Sequence, residues 1–400
     1  LNSYNRKILT ISFLSIPLSA GIALVPVLSN IAAAFPNQEG SIQLLITVPS
    51  LFMMFSSLLT DKLSEKTSLK TTTIISIIII LFSGISPYWI NNFAYLLCTR
   101  AFMGIGLGLL NTAIASLPAL YFSDDKSRDS AVGIQSAFVC AGGILFNILS
   151  GTFAKYNWKF VFLVQLLNIV PLIVAMILMP KTENKKVKTD ISNKKNIFVK
   201  SAIPVAAISF ICIILTCTYP LNLSLFVERS GLGNSQFVGL LASINSAIGF
   251  FIGLVFGKVY SKTKGKTLTL GLILTAAALL IVRSSPNQAI LLIGSVFFGI
   301  GTSFISPTLY SMLYKRVKQE EIVLSVALLG IASNVSQFIS PFIINPIAKA
   351  VDGNNIEGTR LFVASILIIV LLLILKLTEK RKIENRKSLI HLKDNELRNR

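Results

Sequence analysis

Apolar residues run in unbroken blocks along this chain, with polar residues gathered in the gaps between them. The blocks fall at about 8–28, 41–59, 71–88, 93–117, 131–154, 160–179, 201–226, 237–257, 267–282, 289–310, 323–344 and 361–377. Each is roughly twenty residues, the length at which a helix crosses a hydrocarbon layer of about 30 Å. The runs are continuous rather than alternating and too long for barrel strands, which excludes a sheet architecture. The pattern predicts an all-α membrane protein with twelve transmembrane helices. The first block is long, shows no clear small-residue cleavage site and leads directly into further spans. It is therefore expected to be a span and not a cleavable signal peptide.

Composition sharpens this picture. Of 400 residues, 53% are hydrophobic and 14% charged, about half the charged share of a soluble protein. With a mean hydropathy of +0.73, there are too few charges to cover a water-exposed surface. A soluble enzyme, a disordered chain and a secreted disulfide scaffold are excluded. Cys98, Cys140, Cys212 and Cys217 all lie inside apolar blocks and read as small buried side chains. His391 lies in the charged C-terminal tail. No metal site, cofactor site or nucleophile–base set is expected, and no phosphate-binding G-x-x-x-x-G-K-[ST] loop occurs.

The net charge of +20 could suggest nucleic acid, but its distribution excludes that partner. Of 37 Lys and Arg, 30 fall in one set of alternate segments: the N-terminus, the gaps after spans 2, 4, 8 and 10, the stretch 180–200 and the tail. The opposite set holds six, namely Lys155, Lys159, Arg229, Arg283, Lys349 and Arg360, and Arg100 alone remains. Basic loops stay cytoplasmic, so both termini are expected inside a bacterial plasma membrane. The basic loops can also attract anionic lipid.

The stretch 180–200 is the long hydrophilic interruption before the tail. It predicts an N-terminal six-helix bundle (1–179), a cytoplasmic linker (180–200), a C-terminal six-helix bundle (201–377) and a basic tail (378–400). The two bundles are expected to be pseudo-symmetric, because the segment LLCTRAFMGIGLG (96–108) aligns with LLIGSVFFGIGTS (291–303). Duplicated halves around a midplane site are a physical route to alternating access.

Arg100 is the only charge deep inside a block. Burying it costs several kcal/mol unless it faces a partner or water, with insertion scales alone giving about 2.5–3.5. It reads as a structural residue paired with carbonyls or polar side chains between helices, or as a direct contact for an anionic substrate. Of the 17 acidic residues none falls well inside a predicted span: Glu39, Glu228, Asp352 and Glu357 are placed in outer loops. That favours a neutral or anionic cargo over a polycation. Uncharged polar residues inside the blocks must face other helices or a wet cavity. Asn111, Gln135, Tyr219, Asn222, Asn245, Tyr310, Asn334 and Gln337 are the candidates for a substrate cavity.

The loop after span 2, Ser57-Leu58-Leu59-Thr60-Asp61-Lys62-Leu63-Ser64-Glu65-Lys66, is similar to the G-x-L-x-D-R-x-G-R-K motif of the major facilitator superfamily. A second copy, with Gly257, Lys262, Gly265 and Lys266, follows span 8. The fourth-span motif R-x-x-x-G-x-G is complete in Arg100, Gly104 and Gly106. The chain thus resembles a twelve-span major facilitator transporter along its whole length. The segments Trp158–Phe162 and Pro26–Ile31 resemble drug–proton antiporters, although the fifth span lacks their proline. The resemblance implies that Asp61 sits near the start of span 11, around Val323, and that Lys62 and Lys66 pair with Asp124 or Asp125. Such a cluster would gate the inner side. It further implies a coupling role for Arg100 and close helix packing at Gly104 and Gly106. The expected function is secondary transport of a small organic compound by a monomer, without cofactor, most simply as proton-coupled efflux. The rival is an uptake permease for an organic anion or metabolite.

Overall fold

A computed structural model describes residues 3–64, 67–179, 199–263, 266–318, 321–352 and 356–398, omitting the side chains of 3, 58–64, 125, 126, 129, 323 and 379–398. All regular structure among the described residues is helical. Twelve helices are long and apolar enough to cross a membrane: span 1 Tyr4–Ala34, span 2 Pro36–Ser57, span 3 Leu69–Tyr88, span 4 Phe93–Tyr121, span 5 Ser130–Ala154, span 6 Trp158–Leu178, span 7 Ile203–Arg229, span 8 Ser235–Thr263, span 9 Lys266–Arg283, span 10 Gln288–Tyr314, span 11 Leu324–Val351 and span 12 Ile356–Thr378.

Local chemistry sets the ends. Asn92 caps span 4 by accepting from Tyr95 N at 3.0 Å, and Asn287 caps span 10 by accepting from Ile290 N at 3.0 Å. Each satisfies one of the free N–H groups of a helix start. Both caps stand four residues before the aligned leucine pairs, so the internal repeat extends to its punctuation. Span 1 tightens into a 3₁₀ stretch over Ile16–Val27, where Pro17 and Pro26 lack the N–H of a regular α ladder. At the lysine-rich end, basic side chains close exposed helix C-termini. Arg6 donates to Leu178 O at 3.1 Å, Lys70 to Met176 O and Met179 O at 2.6 and 2.8 Å, and Lys7 to Tyr121 O at 2.8 Å. Cations there also oppose the negative end of the helix dipole.

The halves repeat in their packing as well. A methyl group at Gly106 would lie 2.9 Å from Ser76 O on span 3, and one at Gly301 would lie 2.8 Å from Gly271 O on span 9. Gly104 abuts Pro49 of span 2, its added methyl falling 2.8 Å from Pro49 Cα; the aligned Gly299 abuts Asn245 and Ile248 of span 8. Small residues at these steps let backbones approach closely. One apolar core fills each half. A third crosses between them, with Leu24, Leu28, Ile42 and Leu45 against Leu221 and Leu225.

Several ends differ from the hydropathy blocks. Span 1 runs on to Ala34, and span 12 begins at Ile356 rather than 361. Glu357 and Arg360 therefore lie inside the first turns of a membrane helix, not in a loop. Their charges lower local hydropathy, which hid the helix start from a reading of apolar runs.

Substituting Gly106→Ala or Gly301→Ala is expected to lower stability by about 1–2 kcal/mol, overpacking outweighing the better helix propensity of alanine. Thermal unfolding in detergent checks this, with Gly133→Ala, which meets nothing within 4 Å, as the control that keeps the propensity gain and is not destabilised.

Candidate functional site

The candidate site is the boundary between the halves, which is closed at one end and parted at the other. Spans 5 and 8 run antiparallel along it. A methyl group at Gly239 would lie 2.5 Å from Asn147 O, and one at Gly143 2.8 Å from Ser246 Oγ. Toward the lysine-rich end, a methyl at Gly249 would reach only to 3.9 Å from Cys140 Sγ, and at Gly253, Gly257 and Gly133 it would meet nothing within 4 Å. Among these glycines, close contact between the two helices is therefore confined to one end. Gly330, near the same end of span 11, is also open, whereas the other end of that helix is tied to span 2.

The closed end is a polar seam. Ser29 Oγ and Ser224 Oγ lie 2.8 Å apart, Ser224 Oγ donates to Pro26 O at 3.1 Å, and Ser235 Oγ donates to Asn30 Oδ1. Gln43 on span 2 bridges two helices of the other half: its Nε2 donates to Asn222 Oδ1 at 2.8 Å, and its Oε1 accepts from Asn345 Nδ2 at 2.9 Å. Arg360 Nη1 also donates to Asn222 Oδ1, at 3.0 Å. Beyond these, Arg229 pairs with Glu39 of the first half and, at 2.7 Å, with Glu357; Arg360 lies 3.8 Å from the same carboxylate oxygen. Glu357 is only 5% exposed and stands in the first turn of span 12, so its expected place in an outer loop is corrected. The low local dielectric makes a buried carboxylate dependent on these two guanidinium partners.

The candidate cavity residues divide. Asn111 is exposed in mid-span, and Gln135, Asn245, Tyr310, Asn334 and Gln337 are partly exposed. Partly exposed amides at mid-depth are compatible with a wet space and not with lipid. By contrast, Tyr219 is buried inside the second half, its ring stacked on Phe298 at 4.0 Å and its hydroxyl donating to Ser295 Oγ at 2.6 Å. Asn222 is buried in the seam. No Asp, Glu, Lys or Arg occupies the middle of spans 5, 8, 10 or 11.

Arg100 is wholly buried. Its Nη1 contacts Met103 Sδ at 3.2 Å, while Nε and Nη2 have no hydrogen-bond partner. Seven residues from the start of span 4, it lies roughly 10 Å into the helix. Since Gly104 abuts Pro49 and Gly108 abuts Met53, the shared four-residue step sets Arg100 level with Leu45, two positions from the seam residue Gln43. Of the expected inner gate, Asp61 and Lys62 end the helix Leu44–Ser64 with side chains outside the described set. Lys66 and the side chain of Asp125 are outside it too. Asp124 accepts from Ser127 N at 2.8 Å and caps the helix Asp125–Ala154. Its bonds from the Ser127 hydroxyl and backbone hold its carboxyl below the usual carboxylate range. Among the described residues, no three metal-ligating side chains come together.

The sequence reading missed Gln43, Asn345, Ser29, Ser224, Asn30 and Ser235, and placed the Glu39, Arg229, Glu357 and Arg360 cluster in loops. A signal existed: Gly239, Ser243, Ser246, Gly249, Gly253 and Gly257 fall at helical spacing on one face of span 8.

A family model described as Major Facilitator Superfamily matches residues 9–341 and, in an overlapping match, 264–394. Comparison with curated protein sequences gave no match. Among solved structures, the chain is similar to a bacterial homolog of the human lysosomal transporter Spinster in an inward-facing, unoccupied conformation, with 14% identity, a TM-score of 0.75 and coverage of 92% of this chain and 95% of that one. It is also similar to a POT family transporter in complex with a thioalcohol-conjugated peptide, with 13% identity, a TM-score of 0.72 and coverage of 94% and 96%.

The seam geometry yields a direct test. In Ser29→Cys/Ser224→Cys, mild oxidation is expected to form a disulfide, because the two oxygens replaced lie 2.8 Å apart. Mass spectrometry reads the loss of both thiols. Persistence of both introduced thiols in every condition, with Cys98, Cys140, Cys212 and Cys217 replaced by alanine, would show that the two helices do not meet there.

Proposed function

The chain belongs to the major facilitator superfamily, and from that premise we propose how this membrane transporter works and what it carries. It moves a small organic compound by rocking its two halves about the uncharged polar space between spans 4, 5, 8, 10 and 11. The observation that carries this reading is the graded separation of spans 5 and 8, tight at Gly239 and open from Gly253 onward. A boundary sealed at one end and parted at the other is one of the two states that alternating access requires. The lysine-rich end faces the cytoplasm on the positive-inside rule, so the state is inward-open. The likeness to a transporter solved facing inward supports that assignment.

The cargo is neutral or anionic. Amides and a tyrosine are the exposed or partly exposed polar side chains singled out within spans 4, 5, 8, 10 and 11, and no carboxylate stands among them to neutralise a cation. We assign the direction as efflux in exchange for protons, supported by the antiporter-like segment Pro26–Ile31, which contributes Pro26 O, Ser29 and Asn30 to the seam. Arg100 acts as a positioning residue. It is wholly buried on the stretch of span 4 that packs along span 2, the helix that delivers Gln43 to the other half.

In inside-out vesicles, gradient-driven accumulation of compounds from a broad neutral and anionic panel is the expected result. Its absence, with accumulation in right-side-out vesicles instead, would replace efflux with uptake. Arg100→Ala is expected to insert normally and lose transport, and full activity in that variant would remove Arg100 from the mechanism. Oxidised Ser29→Cys/Ser224→Cys is expected to stop transport, with recovery on reduction.

A further inference from the structure

We propose that Arg229 and Arg360, together with Asn345, form a carboxylate-binding site at the outer mouth, masked when the halves are closed there by Glu39 on Arg229 and by Gln43 on Asn345. This rests on the alternating-access reading, and it names a ligand class that the uncharged central space does not. Arg229, Arg360 and Glu357 all belong to the second half and carry a net charge of +1 between them. In the closed seam, Glu39 of the first half brings the group to neutrality through its pair with Arg229. Gln43 meanwhile occupies Asn222 Oδ1 and Asn345 Nδ2.

Parting the halves at this end removes Glu39 and Gln43 together. Two guanidiniums then share a single carboxylate, Glu357, and the Asn345 amide loses its acceptor. Arg360 Nε is buried and has no partner even in the closed state. The freed surface is positive and rich in donors, fixed on the ends of spans 7, 11 and 12. Guanidiniums recognise carboxylates through paired N–H groups, and Glu39 is itself a carboxylate on the opposite wall. A small carboxylate would take its place and hold the outer end apart, whether it arrives from outside or is leaving from within.

The test uses the full chain in detergent with Cys98, Cys140, Cys212 and Cys217 replaced by alanine. Spin labels go on the exposed positions Gln38 and Ser230, on opposite sides of the seam. Glu39→Gln, at a half-exposed site where folding is not at risk, is expected to shift the label distance to longer values. Succinate is expected to lengthen it further, with succinamide, or sodium chloride at matched ionic strength, giving no added shift. Arg229→Gln is expected to abolish the response to succinate. An equal response to succinamide or chloride, or no response to succinate in a Glu39→Gln variant that does open, would overturn the carboxylate site while leaving alternating access standing. A label distance unchanged in Glu39→Gln and in every ligand would count instead against the seam as a moving gate.

Discussion

Every polar group buried between the two halves must find its partner on the other half or in water, and this requirement shapes the transporter. At the closed end the partners are short neutral hydrogen bonds plus one exposed ion pair, each worth about 0.5–1.5 kcal/mol net. Several such bonds, with the apolar contacts of Leu221 and Leu225, hold the halves shut by an amount that differential cargo binding can reverse. A dry apolar seam of the same size would close harder and open reluctantly. A seam of buried ions would leave uncompensated charge each time it parted. The neutral hydrogen-bonding groups avoid both outcomes, because water replaces each partner when the halves separate, and the charge left by parting is confined to the exposed Arg229–Glu39 pair at the rim.

The remainder of the fold keeps the halves rigid so that the motion concentrates at the seam. Gly106 on Ser76 and Gly301 on Gly271 lock spans 3 and 4, and 9 and 10, as equivalent pairs. The lysine-rich end is tied within the first half, where Arg6 and Lys70 bind the final carbonyls of span 6. These basic residues thus serve topology and capping together, and they leave the mouth between the halves free.

Much of this was legible in the sequence. Twelve apolar blocks gave twelve spans, and the Gly-Ile-Gly repeat of 104–106 and 299–301 marked helices that pack alike in both halves. The seam was not legible because serine, asparagine and glutamine inside an apolar run look the same whether they face their own bundle or the opposite one. Tyr219 and Asn222 show the ambiguity: both fit a cavity by chemistry, and both are consumed in packing. Glu357 was misplaced for a different reason. A charge lowers the hydropathy of the helix turn that contains it, so a paired carboxylate inside a helix end reads as a loop.

Thiol labelling from each side of the membrane tests the central claim, that one seam closes as the other opens. Single cysteines at Gly253, in the open stretch of span 8, and at Ser235, hydrogen-bonded across the seam, report the two ends. Reciprocal reactivity is expected: any cargo or gradient that raises labelling at Ser235→Cys lowers it at Gly253→Cys. Labelling that rises at both positions together would contradict it, since the two mouths would then be open at once.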